Sequence, residues 1–174
     1  MDLRGQVIAA MKDFFGGDAR YVDHALAVLG HAEALMASQS AGGQALDADV
    51  VVAAAILHDV GIPVALRKHG SAEGRWQELE GPPIAREILH KMPLAPEQVE
   101  HVCAIVGNHH RARDIDTAEF RIVYDADWLV NLPNERREQM KDTAAVRGFI
   151  ERTFKTAAGK ARAMDLYIEK GTKE

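Results

Sequence analysis

Of the 174 residues, 47% are hydrophobic and 27% charged, and the net charge is −5 with histidine neutral. This is the composition of one soluble globular domain over 1–174, able to bury roughly 70% of the surface its unfolded chain exposes, and its acidic balance argues against general nucleic-acid binding. One cysteine, Cys103, excludes an intrachain disulfide and points to a reducing, cytoplasmic setting, while the N-terminus lacks the apolar core of a secretion signal and no stretch approaches the ~20 apolar residues of a membrane span.

Helical periodicity dominates the chain. Asp18 is placed to cap a helix through Ser40, in which Val22, Ala25, Leu26, Leu29, Ala32 and Met36 share one stripe and which "SAGGQ" ends. Asp47 is suited to cap a second helix that runs through the apolar "AAAIL" to His58-Asp59, with Gly61-Ile62-Pro63 as its stop. Residues 64–81 show no clean period, carry three glycines and many charges, and read as a long loop. Pro82-Pro83 then open a short helix to Lys91, and Pro96 opens another with Val99, Val102, Cys103 and Val106 on its apolar stripe. Thr117 is placed to cap a helix to Asn131, stopped by Pro133, and a last long helix covers Lys141 to Lys170. The sum is an all-α bundle of six or seven helices. Residues 135–174 hold 10 Lys/Arg against 7 Asp/Glu, a mixed charge that suits a solvated helix face.

Several polar residues fall where these faces ask for apolar ones. His24 lies in the first stripe, His58 and Asp59 close the second helix, His109 and His110 end the Pro96 helix, and Asp127 sits between Val123 and Val130. A lone histidine on such a face is ordinarily a satisfied core residue, and a lone aspartate a cap or ion-pair partner. Imidazoles and carboxylates buried together on separate helices need a shared solution, because each is costly to bury without a partner. A divalent cation supplies one, with neutral histidine nitrogen and ionised aspartate oxygen as the ligating forms.

The ordered set of His24, then His58-Asp59 after 34 residues, then Asp127 resembles the HD-domain superfamily of metal-dependent phosphohydrolases. "AAAILHDVG" looks like that family's apolar helix ending in HD and glycine, and "DADWLVNL" is similar to its last motif, with Asn131 four residues after Asp127. The resemblance covers about residues 18–135 and implies a compact HD-type helical bundle. It implies His24, His58, Asp59 and Asp127 as ligands of a first metal, with Asp125 as the competitor for the last place and Arg121 as the alternative partner of Asp125. In two-metal branches further histidines are expected; His109 and His110 match one such position, and Glu80 stands where another would be. The implied cofactor is one or two divalent ions among Mn, Fe, Ni, Co, Zn and Mg.

The implied activity is hydrolysis of a phosphate ester or anhydride of a nucleotide or other small phosphorylated molecule, by attack of metal-bound hydroxide. Asp59 would orient or deprotonate the water, and His109 or His110 would protonate the leaving oxygen. Several branches carry a lysine where this chain has Ile62, so phosphate contacts fall to Arg20, Lys68, His69 and Arg111, with Arg67 and Arg113 nearby. His31 reads as structural, His90 and His101 as surface residues, and Cys103 as a packed small hydrophobe. Two other readings use the same residues: a di-iron oxygenase and a non-catalytic nucleotide-binding module. No membrane partner is expected, and the sequence is as compatible with a homo-oligomer as with a monomer.

Overall fold

The computed structural model describes residues 2–40, 45–111, 114–135 and 142–169. Among them are nine α-helices and no strand, two or three helices more than the sequence predicts. They are α1 (Leu3–Phe14), α2 (Ala19–Ser40), α3 (Ala48–Leu57), α4 (Ile62–His69), α5 (Gly74–Leu89), α6 (Pro96–Val106), α7 (Ala118–Glu135), α8 (Thr143–Thr153) and α9 (Ala157–Met164), followed by a π-helical turn, Asp165–Glu169. The expected "SAGGQ" stop falls outside the described residues from 41 onward.

The predicted caps form. Asp18 accepts from the Arg20 amide at 3.0 Å, Asp47 from the Val50 amide at 3.2 Å, and Thr117 from the Phe120 amide at 3.2 Å, each satisfying a donor that a helix start leaves open. The α1 helix, which periodicity did not single out, begins on an Asp2 cap and buries Val7 and Met11 against α3.

The α3 helix is the axis of the bundle. Val50, Val51, Ala53, Ala54, Ala55, Ile56 and Leu57 are all buried, and α1, α2, α6 and α7 pack around them. A helix apolar on every side is stable only when surrounded, and each buried Val, Leu or Ile side chain contributes about 1.5–3 kcal/mol. By length and composition Ala48–His69 could cross a membrane, contrary to the sequence expectation. Here it is instead two helices broken by the His58–Gly61 turn, the first of them enclosed by the other helices.

Four sequence readings are corrected. Residues 64–81 are not a loop but belong to α4 and α5, which pack as a hairpin. Their helicity is supplied by tertiary contacts: Lys68 Nζ and His69 Nε2 both reach Glu80, at 2.7 and 2.9 Å, and the His69 ring stacks on Trp76 at 4.0 Å. Pro82 and Pro83 therefore lie inside α5 rather than at a helix start. Pro133 does not stop α7, which continues to Glu135. Proline lacks the N–H that would bond the Leu129 carbonyl, and the Tyr167 hydroxyl donates to that carbonyl instead.

The last long helix is broken between α8 and α9. Asp125, buried on α7, accepts from the Lys155 amide, the Thr156 amide and the Thr156 hydroxyl at 2.8, 2.8 and 2.7 Å. A carboxylate from another helix thus captures the amides that would have continued α8, and Thr156 restarts the chain as the cap of α9.

Candidate metal centre

Three helices and one turn bring the interrupting polar residues to one place. His24 comes from the second turn of α2, His58 and Asp59 from the end of α3, Asp127 from α7, and His109 and His110 from the turn after α6. The Nε2 atoms of His24 and His58 are 3.1 Å apart. Asp59 Oδ2 lies 3.4 Å from each of them, and Asp127 Oδ1 lies 3.2 Å from His24 Nε2 and 3.5 Å from His58 Nε2. Ligand atoms on ~2.1 Å bonds are about 3.0 Å apart at right angles and about 3.4 Å apart at the tetrahedral angle. The four atoms therefore stand at the spacing of ligands around one ion.

Their protonation agrees with that. His58 Nδ1 donates to the Ala55 carbonyl at 2.9 Å, so in the neutral ring Nε2 presents a lone pair toward the other three groups. Burial pushes the His58 pKa down, but Asp59 and Asp127 outweigh it and hold the imidazole well above its ordinary value. Burial likewise raises Asp59 and Asp127, and the facing histidines win, holding both carboxylates below their usual range. The cluster is short of positive charge, and a cation meets that need more fully than one shared proton. Asn131 Nδ2 donates to Asp127 Oδ1 at 2.8 Å, one helical turn along α7.

A second group adjoins the first. Asp59, His109 and His110 offer ligand atoms that all lie within 4.8 Å of one another. His109 is 2% exposed; its Nδ1 donates to the Val106 carbonyl at 2.8 Å, and its Nε2 lies 3.5 Å from Asp59 Oδ1. With the ring neutral and its hydrogen on Nδ1, neither of those last two atoms donates to the other. His109 Nε2 is the one buried side-chain polar atom among the described residues with no hydrogen-bond partner, a costly arrangement unless a cation occupies the gap. The donor set thus fits divalent ions. His110 borders the cleft with one edge open; loss of water around its ring, then His109 beside it, lowers its pKa to about 4.

The other expected site residues lie elsewhere. Glu80 bonds Lys68 and His69 across the α4–α5 hairpin and is outside both ligand groups among the described residues. Asp125 serves the α8–α9 break, and Arg121 pairs with Asp116 at 2.6 Å rather than with Asp125. Arg20 lines the cleft with its guanidinium on Asp18, and Arg111 is bound to Glu78. Arg113 lies outside the described residues. His31 accepts from Arg162 at 2.9 Å, joining α2 to α9, and Cys103 is buried. His90 is exposed, but His101 is half-buried and bonded to Thr117 at 2.8 Å, so it is not a plain surface residue. Sequence reasoning missed Gln77 and Glu78, both buried on α5 beside His110.

The HD domain family model matches residues 21–132, more than half of the chain and the whole span from α2 to the ligand-bearing part of α7. The protein belongs to the HD-domain family. No curated protein and no solved structure matches it. Members of this HD family are typically metal-dependent phosphohydrolases, and the buried histidine–aspartate cluster fits their metal site.

Proposed function

We propose that this HD-domain protein hydrolyses a phosphate ester of a small, nucleotide-sized molecule at a site holding two divalent cations. Asp59 carries the reading. Its Oδ2 faces His24 and His58, and its Oδ1 faces His109, so one carboxylate has an oxygen in each of two adjoining ligand groups. Cations bound there would hold a phosphoryl oxygen and acidify a coordinated water.

The chain's own side chains set the rest. His24, His58, Asp59 and Asp127 hold one ion, and Asp59, His109 and His110 the other. The Ala55 and Val106 carbonyls fix the two buried rings so that each keeps a lone pair inward. A cleft of about 330 Å³ opens over the cluster, walled by Arg20, Tyr21, Ile62, Gln77 and Asn131. That volume is at the small end for ligand pockets. Lys68, His69 and Arg111 are engaged by Glu80 and Glu78, whereas the Arg20 side chain is 81% exposed on its Asp18 partner and is free to turn toward a phosphate. Among the described residues Arg20 is the one arginine lining the cleft, which favours a single phosphoryl group over a polyphosphate chain. His110, lowered to about 4, is neutral near pH 7, which supports a lone-pair role over protonation of the leaving oxygen.

The test is phosphate release from a panel of phosphomonoesters and anhydrides, with Mn, Ni, Co, Fe, Zn and Mg supplied in turn and bound metal counted. Cation-dependent release, strongest on monoesters and with two ions per chain, is expected. Metal-loaded protein that releases phosphate from none of them would refute the proposal.

A further inference from the structure

The start of α5 carries a buried amide that the hydrolysis reading leaves without a task. Gln77 is 7% exposed. Its Nε2 donates to the Ala72 carbonyl at 2.6 Å, which fixes the way round of the amide, since the reverse orientation would set two acceptor oxygens against each other. The Gln77 Oε1 atom therefore faces His110 Nε2, 3.1 Å away. A carboxamide oxygen only accepts, so the hydrogen sits on His110 Nε2, and the lone pair of the neutral ring is left on Nδ1.

Packing holds this relay in place. A Cβ on Gly61 would lie 2.3 Å from the Gln77 carbonyl oxygen, and a Cβ on Gly74 would lie 2.7 Å from His110 Cδ2. Both glycines let backbone and ring approach to distances that any other residue would prevent. The neighbouring Glu78 accepts from the His110 and Arg111 amides, each at 3.1 Å. Consecutive residues of α5 thus clamp the ring and the backbone of His110.

We infer that Gln77 is a positioning residue for cation binding: through the Ala72–Gln77–His110 relay it fixes the Nε2–H tautomer of His110 and offers Nδ1 to the group shared with Asp59 and His109. The consequence for metal rests on the two-cation reading above; the tautomer does not.

Long-range ¹⁵N–¹H correlation spectra of histidine-labelled, metal-free protein read the tautomer directly, with the His110 signals assigned by their loss in His110→Gln. The expected wild-type result is a protonated Nε2 and a bare Nδ1 at His110. Gln77→Glu loses the bond to the Ala72 carbonyl but keeps an accepting oxygen toward His110 and so keeps that tautomer, whereas Gln77→Met gives a mixture. In calorimetric titration with Zn²⁺, Gln77→Met is expected to weaken the second equivalent by about 10–100-fold, the usual effect of losing an outer partner of a ligand, with the first equivalent unchanged. A wild-type His110 protonated on Nδ1 overturns the inference without any variant. So does a Gln77→Met protein with unaltered tautomer and unaltered second equivalent. If the tautomer and titration come out as expected but no phosphate is released, the relay stands and the hydrolytic reading fails.

Discussion

The two halves of the candidate metal site are held in different ways. His24, His58 and Asp127 project from α2, the end of α3 and α7, helices that pack on one another through the centre of the bundle. His109 and His110 sit in a turn after α6, outside any helix; His109 is held by the Val106 carbonyl and His110 by the polar side chains of α5. In the first half the apolar core does the positioning, because shifting a ligand means repacking residues such as Ile56, Leu57 and Leu129, all nearly fully buried. In the second half hydrogen bonds do it, and those on His110 come from side chains that can be removed singly. Asp59 belongs to both, so the halves should separate cleanly under mutation everywhere except there.

The largest effect is therefore expected from Asp59→Ala. It removes an oxygen from each ligand group and should lower cation-dependent phosphate release by on the order of 10³-fold, beyond the 10–100-fold typical of an outer-partner change. Bound metal should fall from two ions toward none. Full turnover by this variant would break the comparison at its hinge.

Two aspartates of α7, two residues apart, give the next contrast. Asp125→Ala leaves the Lys155 and Thr156 amides without their acceptor and should cost about 3 kcal/mol in denaturant unfolding while metal binding persists. Asp127→Ala should do the opposite, abolishing the first ion with a smaller loss of stability. Unchanged first-ion binding in Asp127→Ala would show that the wrong carboxylate has been placed at the ion.

Glu78 tests the clamp on the second half. Its side chain is 3% exposed and bound to Arg111, whose own side chain is 42% exposed. After allowance for solvent on the arginine, Glu78→Ala should destabilise by about 2 kcal/mol and weaken only the second Zn²⁺ equivalent in calorimetry. Equal weakening of both equivalents would mean that the halves are not held independently.

A pH series separates proton from cation. The His58 pKa is raised in the fold, so in chelator-treated protein its contribution is complete below about pH 6.5, the value of the unfolded side chain, and is lost as pH rises through the folded value. The Tm of that protein should fall as pH rises above about 6.5 relative to His58→Gln, and added Zn²⁺ should reverse the trend, because the ligating ring is neutral. Asp59 and Asp127, lowered in the fold, act at the other end: their contribution is present above about pH 4 and is lost as pH falls through the folded values. The smallest effect is expected from Lys68→Ala, whose partner Glu80 also has His69. With Lys68 largely in solvent, the change in stability should be barely measurable, and a large drop in phosphate release would instead make Lys68 a substrate contact.

What could be read in the chain follows this same division. The helices that carry the first half were legible because their stripes repeat at helical spacing and Asp18, Asp47 and Thr117 are capping residues at their starts. Asn131 was visible as well, being one turn from Asp127 on the same face. Helices α4 and α5 were not, since glycines, prolines and charges hide their period. The one usable signal was the buried series Gln77, Gly81, Ala85 and Leu89, spaced by fours, with Glu78 buried beside it. Reading polar residues as part of a buried stripe would have found both the helix and the clamp.

The sequence by itself determined the all-helical class, the HD-domain family and the meeting of histidines with aspartates, because apolar periodicity and ligand-type residues are local properties of the chain. Only the tertiary structure decided which carboxylate faces the histidines, that Glu80 is occupied by Lys68 and His69, and that Gln77 and Glu78 grip His110. Those outcomes depend on which side chain's hydrogen-bonding atoms reach a partner from another helix, a distance that no spacing along the chain encodes.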